Sequence, residues 1–200
     1  MKIKEKTIPA NILSISFNLK SFISFLQPQS KHSIIAYIFI LCFSVLSAKE
    51  PTLAILKNVY TNNIQKFSIG NYNYICKAYG IVSIEDLYNT SIENPMCRKS
   101  IVEFFERYPL EEYFSANLLY TGQMYHIEFR DMECILHAKG IKTLSEILLY
   151  EGLALKKVNF RDEIYRERFI TAQDNARKRK KGLWGTTVYK NCFPELTRNQ

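Results

Sequence analysis

The stretch TLSEILLYEGLALKK, Thr143–Lys157, with ARKRKKGLW, Ala176–Trp184, decides the architecture of the C-terminal half. Thr143 followed three residues later by Glu146 is the signature of a capping box, and it predicts a helix running to Gly152. A second, charged helix is expected over about Asp162–Lys181, with Gly182 in the position that a left-handed C-cap needs.

Working upstream, the periodicity changes. Leu53–Tyr60 and Lys66–Ile69 are short alternating runs, and Tyr72–Val82 is rich in β-branched and aromatic residues. Asn62-Asn63 and Gly70-Asn71 are turn signals between them, so three strands in a meander are predicted. Asn94-Pro95 has the form of an N-cap with proline at N1, opening a helix over Met96–Tyr108 that Pro109 stops. Phe114–Tyr120 and Met124–Phe129 are further strand candidates, the second forming a hairpin with Glu133–Ala138 across Arg130-Asp131-Met132. Five or six strands, one helix between them and two after imply an α+β fold. Its core would be a small closed barrel of about five strands, an OB-fold with C-terminal helical packing.

The N-terminus is of another kind. Ile34–Ala48 (IIAYIFILCFSVLSA) carries no charge and lies between Lys31 and Lys49. It is shorter than the roughly 20 apolar residues of a membrane span and ends in small residues, so it has the form of a secretory signal; uncleaved, it would be an anchor. Residues 1–48 are therefore expected to be a tail with a signal peptide or membrane anchor, and 49–200 the folded domain. Export, to a periplasmic, extracellular or membrane-anchored location, makes Cys76, Cys97, Cys134 and Cys192 candidates for two disulfides, of which three connectivities exist. None lies in a Cys/His cluster of zinc-site spacing.

Charge is concentrated at the far end. The chain is +8 overall, and Val158–Gln200 holds ten basic and five acidic residues. Arg177, Lys178, Arg179, Lys180 and Lys181 form a run that can meet phosphates by charge alone, and that equally suits a solvated helix C-terminus. The 13 tyrosines and 13 phenylalanines can serve either as stacking surfaces for single strands or as barrel core.

On particular residues the chain resembles the thermonuclease family, the staphylococcal-nuclease-like OB-fold hydrolases. Glu146, Leu148, Leu149, Gly152, Leu153 and Ala154 match its second-helix motif, and Ala172, Ala176, Gly182, Leu183 and Trp184 its last helix. KAYGIVSIED, Lys77–Asp86, is similar to its catalytic strand and loop. The resemblance implies phosphodiester hydrolysis of DNA or RNA with Ca2+: carboxylates on the ion, a glutamate handling water, and two cations on the phosphorane charge. Glu85 falls at the catalytic glutamate, Lys77 at the first arginine, and Arg130 close to the second. Ser83 and the neighbouring Asp86 are the candidates left for the metal.

Departures accompany these matches. Val82 stands where a calcium aspartate is expected, and no aspartate lies between Lys49 and Glu85. The other metal aspartate would lie within Tyr60-Thr61-Asn62-Asn63, where an asparagine oxygen could ligate without charge. A barrel of this kind would bring Cys76 beside Cys134, leaving Cys97 to tie the first helix to the tail through Cys192. His126 and His137 fall opposite each other on the predicted hairpin. Two readings stand: an exported calcium-dependent nuclease, or an inactive OB-fold module that holds nucleic acid or another partner at the cell envelope. In the second, Arg177, Lys178, Lys180 and Lys181 supply the contacts.

Overall fold

The computed structural model describes residues 51–198, with side chains through Cys192. Ile34–Ala48 and the tail before it lie outside the described residues, among which no helix is long and apolar enough to cross a membrane.

Strand β1 (Thr52–Thr61) turns Ala54 and Leu56 inward. Its first half pairs antiparallel with β5 (Met124–Arg130) and its second half with β2 (Ile64–Ile69). Register shifts at Leu56/Asn58 and Val59/Thr61 give it the bulges with which a single strand bends between two neighbours. β2 forms a hairpin with β3 (Tyr72–Ala78), and β5 forms one with β6 (Glu133–Lys139). The remaining edges meet in parallel, Lys77 opposite Glu133 and Ala78 opposite Cys134, which closes five strands into a mixed barrel and leaves them no free edge. Leu56, Phe67, Ile127 and Leu136 fill it. Cys76 and Cys134 form a disulfide across that parallel seam, with Cα atoms 5.6 Å apart.

Four helices lie between the two hairpins where the sequence predicted one: α1 (Ile84–Thr90), α2 (Pro95–Arg107), α3 (Pro109–Glu112) and α4 (Phe114–Leu118). Asn94 caps α2 through the Cys97 amide, as its position before Pro95 predicts. The expectation of a strand over Phe114–Tyr120 is corrected: Ser115 donates its backbone N–H and its hydroxyl to Asn62, which fastens the segment over the barrel end as a helical turn. A second disulfide, Cys97–Cys192, ties α2 to the last helix, α7 (Thr187–Arg198).

After β6 come β7 (Lys142–Thr143), α5 (Leu144–Glu151) and β8 (Ala154–Lys156), which pairs with the short β4 (Ile81–Ser83). Thr143 caps α5 through the Glu146 amide, but the reciprocal half of the capping box is absent, because the Glu146 carboxylate turns to Arg168 at 2.5 Å. The charged helix is shorter than predicted, α6 covering Arg166–Lys178. Gly152, at φ 72, ends α5 in the left-handed conformation, and Gly182 opens a 3-10 turn to Gly185. These two glycines meet directly. Leu183 N–H donates to the Gly152 carbonyl at 2.9 Å, and a Cβ on either glycine would lie 2.3 Å from the other segment's backbone.

Candidate functional site

Ser83, Glu85 and Asp86 meet because β3 is interrupted. At Gly80 the backbone takes φ 72 and the Phe160 ring lies where a Cβ would be, 2.3 Å away, so only glycine lets the chain turn there into β4. β4 ends at Ser83, whose side chain accepts from Asp86 N–H while Asp86 accepts from Ser83 N–H, both at 3.1 Å. This full capping box starts α1 and sets Glu85 and Asp86 in its first turn, where the helix dipole favours negative charge. The acidic pair read as part of a loop is thus a helix N-terminus.

The β1–β2 turn reaches over both acids. Asn62 Nδ2 donates to Glu85 Oε1 at 2.7 Å and to the Glu111 carbonyl at 2.8 Å, while its Oδ1 accepts from Ser115 N–H at 2.8 Å. A backbone N–H only donates and a carbonyl only accepts, so these two partners fix which end of the amide faces Glu85. Asn63 Nδ2 donates to Asp86 Oδ2 at 2.7 Å, and its Oδ1 takes the Thr61 hydroxyl. Lys77 Nζ lies 3.0 Å from the other Asp86 oxygen.

That donor set does not fit calcium. A calcium ion needs oxygen ligands, whereas three nitrogens, two amide and one ammonium, already face Glu85 Oε1 and both Asp86 oxygens. The asparagine oxygens, candidate ligands by sequence, point instead to Ser115 and Thr61. Val82 offers no side-chain oxygen, and the Ser83 hydroxyl is engaged by the Asp86 amide. Among the described residues no group of three His, Cys, Asp or Glu side chains could hold a metal.

Glu85 Oε2 is buried without a hydrogen-bond partner. Burial pushes the Glu85 carboxyl above the usual range, opposed by hydrogen bonds from backbone, Ser83 and Asn62. The cavity of about 490 Å³ beside it has apolar walls of Ile101, Val102 and Phe105 and further carboxylates at Glu106 and Glu112. No basic residue lines it.

Arg130, the last residue of β5, makes its contacts elsewhere. Its guanidinium pairs with Glu128 at 2.8 Å, and Glu128 also receives the Tyr165 hydroxyl at 3.1 Å and contacts His137 Nε2 at 3.2 Å. Burial and the Glu128 charge push the Tyr165 hydroxyl up to about 12. The structure therefore gathers Lys77, Ser83, Glu85 and Asp86 into one network, while the hydrogen bonds of Arg130 go to Glu128 and the Phe129 carbonyl. His137 turns to Glu128, and His126 stands exposed on β5.

At the C-terminal end of α6, Arg177, Lys178 and Lys180 are exposed, and none has a carboxylate partner among the described residues. Lys181 pairs with Glu151 at 2.5 Å and lies 4.8 Å from the centre of the Tyr150 ring. Tyr150 itself went unread in the sequence. The available signal was an aromatic residue two positions before the Gly152 stop, with Lys142 ahead of it and the basic run still to come.

Residues 130–186 match the sequence model of the family described as Staphylococcal nuclease homologue. The match runs from Arg130 through β6, α5 and α6 to the 3-10 turn, and stops short of Lys77, Ser83, Glu85 and Asp86. No curated protein matches the chain.

Proposed function

We propose, for a chain whose residues 130–186 match the sequence model of the staphylococcal nuclease homologues, an exported nuclease-like domain that holds nucleic acid by charge and does not cut it with calcium. The orientation of the Asn62 amide carries this reading. Its polarity is set by Ser115 and Glu111, so it presents hydrogen to the glutamate at the catalytic position, and Asn63 and Lys77 do the same to Asp86. Phosphoryl chemistry needs cations where charge develops on the phosphorane. Here Lys77 is engaged by Asp86, Arg130 by Glu128, and the cavity beside Glu85 is acidic.

Binding, by contrast, needs only accessible cations, and Arg177, Lys178 and Lys180 provide them. Export belongs to the same reading, because two disulfides suit an oxidising compartment and Ile34–Ala48 has the form of a signal or anchor. The test is to incubate the full chain with single- and double-stranded DNA and RNA, in calcium and in chelator, following cleavage on gels and binding by anisotropy. Salt-sensitive binding without cleavage is expected. Calcium-dependent cleavage that Glu85→Ala abolishes would overturn the proposal, as would the absence of binding to any nucleic acid.

A further inference from the structure

A feature unused by that reading is a cleft of about 600 Å³ between α4, α5 and α6. It falls within the roughly 300–1,000 Å³ of small-ligand sites and shares no lining residue with the cavity beside Glu85. Phe114, Leu118 and Ile147, all half-buried, give it an apolar lining, and the Tyr150 ring adds an aromatic surface.

Three cations surround that ring. Lys181 Nζ lies 4.8 Å from its centre, Arg179 Cζ 5.3 Å and Lys142 Nζ 5.7 Å, and Arg179 also donates to the Tyr150 hydroxyl. Each is drawn to the ring face, and each repels the other two. Counter-charge is incomplete. Glu151 pairs with Lys181 and Glu146 with Arg168, which leaves Lys139 and Lys142 of the lining, with Arg179 beside them at Tyr150, against the carboxylate of Glu167, while Glu111 acts on the Lys181–Glu151 pair.

An apolar lining beside an under-neutralised cationic rim is complementary to a ligand with a flat, weakly polar body and an anionic group. A guanidinium fork and a nearby ammonium suit the oxygens of a phosphate. We propose that this cleft seats a nucleotide unit of single-stranded nucleic acid, with the phosphate at Lys142 and Arg179 and the base against Ile147, Leu118 and Tyr150. The assignment rests on the nucleic-acid-binding function proposed above and gives that function a specific seat.

The experiment measures binding of fluorescein-labelled oligothymidylate and oligouridylate to the full chain by anisotropy over a series of salt concentrations. Lys142→Gln/Arg179→Gln should weaken binding about tenfold or more and flatten the log–log salt slope by about 1.4, two contacts at about 0.7 each for a single strand. Lys57→Gln/Lys190→Gln removes the same charge from exposed positions elsewhere and should change affinity by no more than about twofold. Ile147→Asp should also weaken binding, with an unchanged circular dichroism spectrum. Equal losses in the two paired variants would overturn the cleft and leave nucleic-acid binding standing. Failure of every oligonucleotide to bind would overturn both. Binding of phosphatidylglycerol vesicles in place of oligonucleotides, sensitive to Lys142 and Arg179, would overturn the nucleotide assignment.

Discussion

Asn62 Nδ2 lies 2.7 Å from Glu85 Oε1, and the same buried amide bridges to Glu111 and Ser115 on the far side. One side chain thus joins the β1–β2 turn, the first turn of α1 and the segment carrying α3 and α4.

Truncating that side chain strands three partners at once. Asn62→Ala is expected to lower stability by about 2–4 kcal/mol in urea denaturation, since each buried group left unsatisfied costs about 1–3 kcal/mol. Asn62→Asp tests polarity directly. Its carboxylate can accept from Ser115 but can donate to neither Glu85 nor Glu111, so the variant should be most destabilised near neutral pH and partly recover in acid. Equal stability of Asn62→Asp and wild type at pH 7 would count against the amide bridge.

Glu85 gives the chain a second pH signature. Its carboxyl titrates above the usual value in the fold, chiefly through burial, so between the unfolded and folded values the native state binds more protons. The stability from this group is complete below about pH 4.5 and is lost as pH rises through the folded value. Glu85→Gln removes the titration while keeping an oxygen for Asn62. Relative to wild type, the variant should gain stability from pH 4 to pH 8, read as the difference between two urea-denaturation series.

Calcium should leave the fold as it is. A ligand that binds only the native state raises its stability by mass action, so millimolar calcium against chelator should move the melting midpoint by less than about 1 °C. Isothermal titration should register no saturable heat. A midpoint several degrees higher in calcium would place an ion where the Asn62 and Asn63 amides and Lys77 meet the two carboxylates.

The Cys97–Cys192 disulfide spans a sequence separation of 95 and anchors α7 on α2. Cys97→Ser/Cys192→Ser should lower stability by about 2–5 kcal/mol. Protease cleavage within α7, compared between oxidised wild type and the variant, would report whether the loss includes release of that helix.

Gly80 is the hinge on which the acidic pair depends. Gly80→Ala introduces a Cβ into the Phe160 ring at a positive φ, so both sterics and backbone oppose it. A loss of about 2–4 kcal/mol is expected by thermal denaturation, with the near-ultraviolet signal of the Tyr79–Phe160–Phe169 ring contacts altered.

The parts of this molecule that sequence made legible are those governed by nearest neighbours. Thr143 and Gly152 bound α5 through contacts within a turn, and Asn94-Pro95 starts α2 in the same way. The barrel was legible through its alternating strands, and both disulfides join the cysteines that placement of those strands in a barrel paired. Phe114–Tyr120 deceived because its aromatic composition suits a strand, whereas Asn62, 53 positions from Ser115, fastens it as a helix. The same distance hid the candidate site: Asn62 looked like a turn residue or an uncharged ligand, and only Ser115 and Glu111 reveal that its nitrogen faces the acid. α1 was missed because its capping box, Ser83 with Asp86, lies in a segment that also reads as a loop after a strand.

The contact between Gly152 and Gly182 has a consequence for how this surface can change. It is a joint without side chains, so it offers no gradation: both positions are glycine, or the end of α5 and the turn after α6 separate. Lys181 is adjacent to that joint and Arg179 two residues before it, and both reach Tyr150 from there. Substitutions among these cations can therefore retune the charge of the cleft one step at a time on a fixed mount, while a methyl group at either glycine would displace the whole set together. The most recognisable letters of the chain carry no side chain at all, yet they act as the gauge that spaces the charges around a single aromatic ring.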